Sequence, residues 1–443
     1  MGETMENERM EEEKEKVLHY RWIIYILLVL VYFLSNFHKF ATGVMKDELM
    51  EVFQLSTTQF GNLGSMVFYS YLIMQIPTGV LVDTVGARRT VTVGCLITAL
   101  GSMMFALAQT GVFANISRLL IGFGISVAYI SLLKVQTKWF CAKEFATITG
   151  ITFLIGNLGS ILAQTPFRLL VDAFSWRSTY MLFALISIVM SLLVYLFVRN
   201  SPEDMGLVSI ELIEGRPSIP AQETPKKEKD DIRKILKEVV TNHYNWPLFL
   251  MMISVSATLT ILSGSFGSVY IRDTYGLTMV DASKYTMILT LGIAVGAAII
   301  GALSDFMKRR KIIMVVLLGI LNAIWIYIVF ICHGTPNITC SGILYFLTGL
   351  SLTAYTLPYT VAKESNNPRY AGMSISFVGL FSFIGSAFGP VIVGKVIDNN
   401  STLLTGGALY AKAFTIVVAC NIIALIGALL VKETRCENIF SHK

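Results

Sequence analysis

The residues of this 443-residue chain that could do chemistry are few, and they interrupt apolar runs. Asn36-Phe-His38-Lys39 sets an imidazole and an ammonium side by side in the first such run, and Lys134 follows Tyr129 in the fourth. An ion in hydrocarbon costs about 2.5–3.5 kcal/mol even on lenient scales, so each charge either lines a pathway or reaches out to the headgroups. Lys39 stands 18 residues beyond Arg21, near 27 Å along a helix rising about 1.5 Å per residue. It lies in the outer half of a cavity or snorkels to the outer surface. Lys134, 16 residues from Arg118, enters from the other side and has the same two readings. His38 could exchange protons, since an ordinary imidazole titrates near pH 6.5; otherwise it is inert, satisfied by Asn36 or a backbone carbonyl. Tyr270 in the seventh run, and Tyr355 and Tyr359 around Pro358 in the tenth, bring hydroxyls and ring edges that can orient an oxygen-rich ligand. The middles of the first, fourth, seventh and tenth runs hold no Asp or Glu. The field is therefore positive and suits a small organic anion, a carboxylate or phosphate ester. An exporter of cationic or amphipathic compounds, the alternative, would need carboxylates there.

A second set of residues repeats. Gly79-Val-Leu-Val-Asp83-Thr-Val-Gly86-Ala-Arg88-Arg89 returns, 222 positions later, as Gly301-Ala-Leu-Ser-Asp305-Phe-Met-Lys308-Arg309-Arg310-Lys311. Both copies sit where an apolar run ends and a basic one begins. The chain thus reads as two related halves with matched turns on one side of a bilayer.

The elements that hold these residues follow from composition. Hydrophobic residues make up 54% and charged ones 14%, with mean hydropathy +0.65, more apolar surface than a soluble fold buries. Twelve windows of roughly 20 apolar residues, six on each side of a polar middle, predict an all-α membrane protein of two pseudo-symmetric six-helix bundles. The windows lack the strict alternation of an outer-membrane barrel. Boundaries fall at 1–21 for a tail, 22–198 for the first bundle, 199–245 for a linker, 246–431 for the second bundle and 432–443 for a second tail. Within the linker, Ile232, Ile235, Leu236, Val239 and Val240 at helical spacing, opposite Arg233, Lys234 and Lys237, predict an interfacial helix. Lys and Arg of the short connections share one side with both termini, which makes that side cytoplasmic and the setting a cell membrane. No cleavable leader pattern precedes the first run, which serves as its own signal. Net charge +6 is explained by basic loops beside anionic headgroups and calls for no nucleic acid. No phosphate-binding loop, catalytic triad or metal-ligand spacing is present, so nothing in the sequence suggests an enzyme, an ATP-driven pump or a cofactor. Cys332 and Cys340 flank an outer loop and either pair or remain thiols.

Glycines inside the runs suit close helix packing. Gly292 and Gly296, and Gly385 and Gly389, form small-residue faces, and Gly150, Gly156 and Gly159 line the fifth run. Pro166 and Pro390 are expected to weaken the fifth and eleventh runs at matching places.

The run Gly79 to Arg89 resembles the loop motif between the second and third helices of the major facilitator superfamily, G-x-x-x-D-x-x-G-x-R-R, and Arg118-Leu-Leu-Ile-Gly122-Phe-Gly124 is similar to its fourth-helix signature. Tyr32 to Lys39 resembles the first helix of its organic-anion carriers, the anion:cation symporters and organophosphate antiporters, where an arginine near the Lys39 position receives the substrate's negative group. The resemblance implies a secondary transporter working by alternating access, with protons or a counter-anion as the coupled species and a monomeric state. It also implies gating by Asp83, Gly86, Arg88, Arg89 and Asp305, with Asp83 latching the halves when the carrier is open outward; the alternative is that these charges only set topology. Arg118 is expected to be structural or coupling. Lysine at 39 and histidine at 38, where the symporters often have aspartate, depart from the pattern, as do Ala87 and Lys308. A non-transporting sensor on the same fold is the reading from another class.

Overall fold

The structure is a computed structural model whose described residues are 2–214, 238–367 and 371–440. Among them are twelve helices long and apolar enough to cross a bilayer: α1 Met10–Phe40, α2 Thr57–Thr84, α3 Ala87–Ala106, α4 Gly111–Trp139, α5 Lys143–Leu162, α6 Trp176–Phe197, α7 His243–Ser265, α8 Met279–Met307, α9 Arg310–Ile331, α10 Ile338–Ser365, α11 Gly372–Asn400 and α12 Gly406–Leu430. The all-α fold expected from composition is the fold observed. Residues 232–237 of the expected interfacial helix lie outside the described residues; Val239 is buried at the foot of α7.

Local chemistry starts and stops the helices. Ser56 and Gln59 form a reciprocal capping box at the start of α2, and Thr110 and Thr278 accept from the third helical N–H of α4 and α8. Each supplies partners for backbone donors that have none within the helix. Outward faces are apolar, as Leu182, Leu185, Val189, Leu192 and Leu196 along α6 show, and that face suits lipid.

The halves match contact for contact. In the first, α3 packs on α4 and α6, α2 on α4, and α1 on α5; in the second, α9 packs on α10 and α12, α8 on α10, and α7 on α11. The halves meet through α2 against α11 and α5 against α8, the second and fifth helices of each. Glycine permits the closest approaches. A methyl group on Gly156 or Gly159 would strike Tyr32 or the Phe33 carbonyl of α1, on Gly292 the Phe346 carbonyl of α10, and on Gly385 the Ile253 carbonyl of α7. Gly150 faces open space, so its expected packing role is not met. Pro166 also differs from expectation. The fifth span ends at Leu162, and Pro166 opens a separate helix, Thr165–Phe174, where its missing N–H leaves no bond unmade.

Two spans break at equivalent places. After Phe40, α1 gives way to a turn at Gly43–Met45 and a helix Lys46–Phe53, while α7 loosens into a π-helical stretch at Thr260–Ser265 before a helix Gly267–Tyr275. The breaks touch: a Cβ on Gly43 would lie 2.9 Å from the Gly264 carbonyl oxygen. Both lie at the end of the bundle remote from Asp83 and Arg310, called here the far end; the other is the basic end.

Candidate functional site

Lys39 occupies the last turn of α1, just before the break. Its ammonium sits 4.5 Å from the centre of the Tyr71 ring of α2 and 3.5 Å from Asn36 Oδ1, one helical turn back. The side chain is only half-buried, and no described carboxylate stands within 4.0 Å of it. Its neighbours are held from behind. Tyr71 donates its hydroxyl to the Ile125 carbonyl at 3.1 Å and stacks on Phe383 of α11, ring centres 4.9 Å apart at 29°. Asn36 donates Nδ2 to the Tyr32 carbonyl at 3.0 Å, and the Tyr32 ring lies 5.2 Å from that of Tyr129. Across the interface Tyr355 and Tyr359 of α10 are half-buried and within electrostatic reach of Tyr129. Asn36, Lys39, Tyr129, Tyr355 and Tyr359, drawn from three spans, thus converge on one interior region between the halves. Tyr71 and Phe383 belong to it too, and their only signal in the sequence was an aromatic in mid-span.

Four other candidates lie elsewhere. His38 is fully buried among Phe37, Tyr180 and Phe183, with no hydrogen-bond partner on either ring nitrogen. Successive helical residues point about 100° apart, so His38 faces the core of its own half while Lys39 faces the space between halves. Arg118 is fully buried and donates to the His38 carbonyl through both terminal nitrogens at 3.2 Å, with Tyr180 Oη at 3.4 Å, which clamps α4 to α1. Lys134 reaches the basic end, its ammonium 2.7 Å from Asp83 Oδ1, both side chains substantially exposed at 47% and 64%. Tyr270 lies beyond the α7 break, fully buried, donating to the Gly334 carbonyl at 2.9 Å and packed on Tyr410 and Phe414.

The repeated motifs are satisfied within their own halves. Gly86 adopts φ +90°, where a Cβ would also meet the Asn200 amide at 2.7 Å; its counterpart Lys308 takes the left-handed φ of +50°. Arg88 donates to the Tyr195 carbonyl at 2.6 Å, and Arg89 is exposed. Arg310 bridges Asp305 at 2.6 Å and Glu364 at 2.9 Å.

Polar contacts between halves gather instead at the far end. Gln164, in the break after α5, donates to the Ser263 carbonyl at 3.0 Å and accepts from Thr286 Oγ1 at 2.8 Å, and Ser283 donates to Thr165 at 2.9 Å. Asp398 of α11 accepts from the Thr57 and Thr58 backbone and the Thr58 hydroxyl at 2.6–2.9 Å. Arg272 pairs with Asp47 and, at 2.6 Å, with Asp273. Sequence reasoning missed this seal; polar residues beside the breaks, such as Gln164 before Thr-Pro, were its only trace.

Two six-helix halves, their matched breaks and the doubled basic-end motif decide the family, and residues 28–390 match the Major Facilitator Superfamily. The chain belongs to that superfamily. This facilitator is a membrane transporter and no enzyme, and its relatives include transporters of organic anions. It is 23% identical over 431 residues to the hexuronate transporter of Bacillus subtilis (strain 168), covering 95% of this chain and 98% of the relative. It is likewise 23% identical over 410 residues to a probable hexose phosphate transport protein of Chlamydia pneumoniae, covering 89% of each. In fold it is similar to a bacterial homologue of the human lysosomal transporter Spinster, in an inward-facing and unoccupied conformation, with TM-score 0.73, 18% identity, and 93% and 96% of the two chains covered.

Proposed function

We propose that this facilitator moves a small organic anion, a carboxylate or phosphate ester, across the cell membrane by alternating access, and that Lys39 receives the negative group. The observation that carries the reading is the Lys39 ammonium itself: half-buried between the halves, over the face of Tyr71, with no described carboxylate in ion-pair range. A cation held by an aromatic face keeps its charge available, and an arriving anion neutralises it. Of the relatives named above, one is a hexuronate transporter and the other a probable hexose phosphate transport protein, which agrees in sign. A carrier of cations would present the opposite field.

With the basic end read as cytoplasmic, the far-end seal supports an inward-facing reading of the described state. Asp83, paired with Lys134 in its own half, is then the released form of a latch that engages the other half when the carrier opens outward. Tyr129, Tyr355 and Tyr359 contact the body of the substrate. Coupling is to protons or to an exchanged anion, and the two separate by imposing either a pH gradient or a counter-anion load on proteoliposomes.

Uptake into proteoliposomes tests the site. Lys39→Ala should lower uptake at least about tenfold, roughly 1.4 kcal/mol, while the protein still purifies as a monodisperse species. Unchanged uptake and affinity would remove Lys39 from the site.

A further inference from the structure

The charge count around Lys39 carries the reading further. Of the cations placed within spans, Arg118 is committed to the His38 carbonyl and Tyr180, Lys134 to Asp83 at the basic end, Lys284 to Asp281 at 2.7 Å, and Arg310 to Asp305 and Glu364. Lys395 and Lys412 are exposed near the far ends of α11 and α12. Among the described residues, Lys39 is left as the cation of this region between the halves without a committed acceptor stronger than the Asn36 amide at 3.5 Å; Lys46, buried in the far-end seal, has Asp273 and Asp398 nearby. The neutral donors beside it are turned away: the Tyr71 hydroxyl to the Ile125 carbonyl and the Asn36 N–H to the Tyr32 carbonyl.

From this geometry we propose that the facilitator selects a monovalent organic anion, a monocarboxylate, over phosphate esters and dicarboxylates. The proposal rests on the anion reading above and narrows it. The attraction of one ammonium for an anion grows in proportion to the anion's charge, whereas the cost of stripping its water grows as the square of that charge. With a single cation, and with the Tyr71 hydroxyl and an Asn36 N–H already committed elsewhere, a monoanion leaves a neutral loaded site. A dianion leaves one negative charge to be carried through the closed carrier, past the Tyr71–Phe383 stack and the Tyr32–Tyr129 pair, whose ring faces repel it further. A neutral analogue leaves the ammonium unmatched.

Binding of matched probes to the purified full-length protein tests this at pH 7, where a phosphate monoester is already mostly dianionic. The pairs are benzoate against phthalate and glucuronate against glucarate, with glucose 6-phosphate as a further dianion and benzyl alcohol as the neutral analogue. The expected result is that at least one monoanion binds about tenfold or more tightly than its divalent partner, glucose 6-phosphate and benzyl alcohol, and that Lys39→Gln erases the difference while Lys39→Arg keeps it. Dianions binding as tightly as their monovalent partners, with affinity lost in Lys39→Gln, would overturn the choice of charge and leave the anion carrier standing. If no probe binds the folded wild-type protein, or if affinities are the same in Lys39→Gln, both readings fall.

Discussion

At the scale of single residues, neighbours in sequence do different work. His38 and Lys39 are adjacent, yet one lends only its backbone carbonyl to Arg118 while the other faces the space between halves. Types and spacing reveal that both interrupt an apolar run; direction around the helix needs the packing partners. The doubled loop motif offers a sharper contrast. Gly86 and Lys308 hold equivalent positions, both at positive φ; Lys308 is left-handed helical, which costs a side chain about 1–2 kcal/mol, whereas Gly86, with ψ 155°, lies in a region open essentially to glycine alone, where a side chain costs at least about as much. Gly86→Ala should therefore destabilise the protein by about that much, and more because Asn200 occupies the space its methyl would need. Lys308→Gly should be neutral or stabilising by about 1 kcal/mol. Thermal unfolding of the two variants under one set of conditions checks the pair, and equal losses would contradict this account of the turns.

At the scale of elements, the helices α3 and α9 start from the same device in different chemical dress. Three residues past the end of α6, Asn200 Oδ1 accepts from the Arg88 backbone N–H at 2.9 Å; three past the end of α12, the Glu433 carboxylate accepts from the Arg310 and Lys311 N–H groups at 2.8 and 3.0 Å. The second tail goes on to bond Glu364 through the Thr434 hydroxyl and the Ile439 N–H, strapping the basic ends of α9 and α10. Removing a cap costs about 1 kcal/mol. Glu433→Ala should lower stability by roughly that amount and speed hydrogen exchange at the start of α9, while Glu433→Gln, which keeps one acceptor, loses less. Exchange at α9 unchanged in Glu433→Ala would show that the tail does not brace it. This symmetry of caps was not legible beforehand, because Asn and Glu share no pattern that a repeat search would find.

At the scale of the whole molecule, the far-end seal concentrates buried charge where the halves meet. Lys46 is 6% exposed and lies 5.7 Å from the Phe266 ring centre in the other half. Burial pushes its amine down to about 8, with Asp273 and Asp398 nearby opposing the shift and Arg272 adding to it. The sign follows directly. Below pH 8 the folded protein bears the cost of a desolvated ammonium; between about 8 and the ordinary 10.5 the folded state has released a proton that the unfolded state still holds, so this residue's contribution to stability rises with pH. Lys46→Met should accordingly be more stable than wild type at pH 7, by a few kcal/mol at most, and the gap should close towards pH 10. A gap independent of pH would show that Lys46 keeps its ordinary charge in the seal.

The sequence by itself determined the all-α membrane class, the twelve spans, the two halves and the transporter family, because hydrocarbon thickness and the doubled loop motif constrain a chain locally, residue by residue. It also singled out Lys39, since an unmatched charge in an apolar run is conspicuous without any partner in view. Only the tertiary structure decided which charges remain uncommitted: Lys134 found Asp83 across 51 positions of sequence, Arg118 found the His38 carbonyl across 80, and Gln164 found Ser263 across 99. Those pairings depend on how helices from distant parts of the chain lie against one another, and no periodicity along a single helix encodes that.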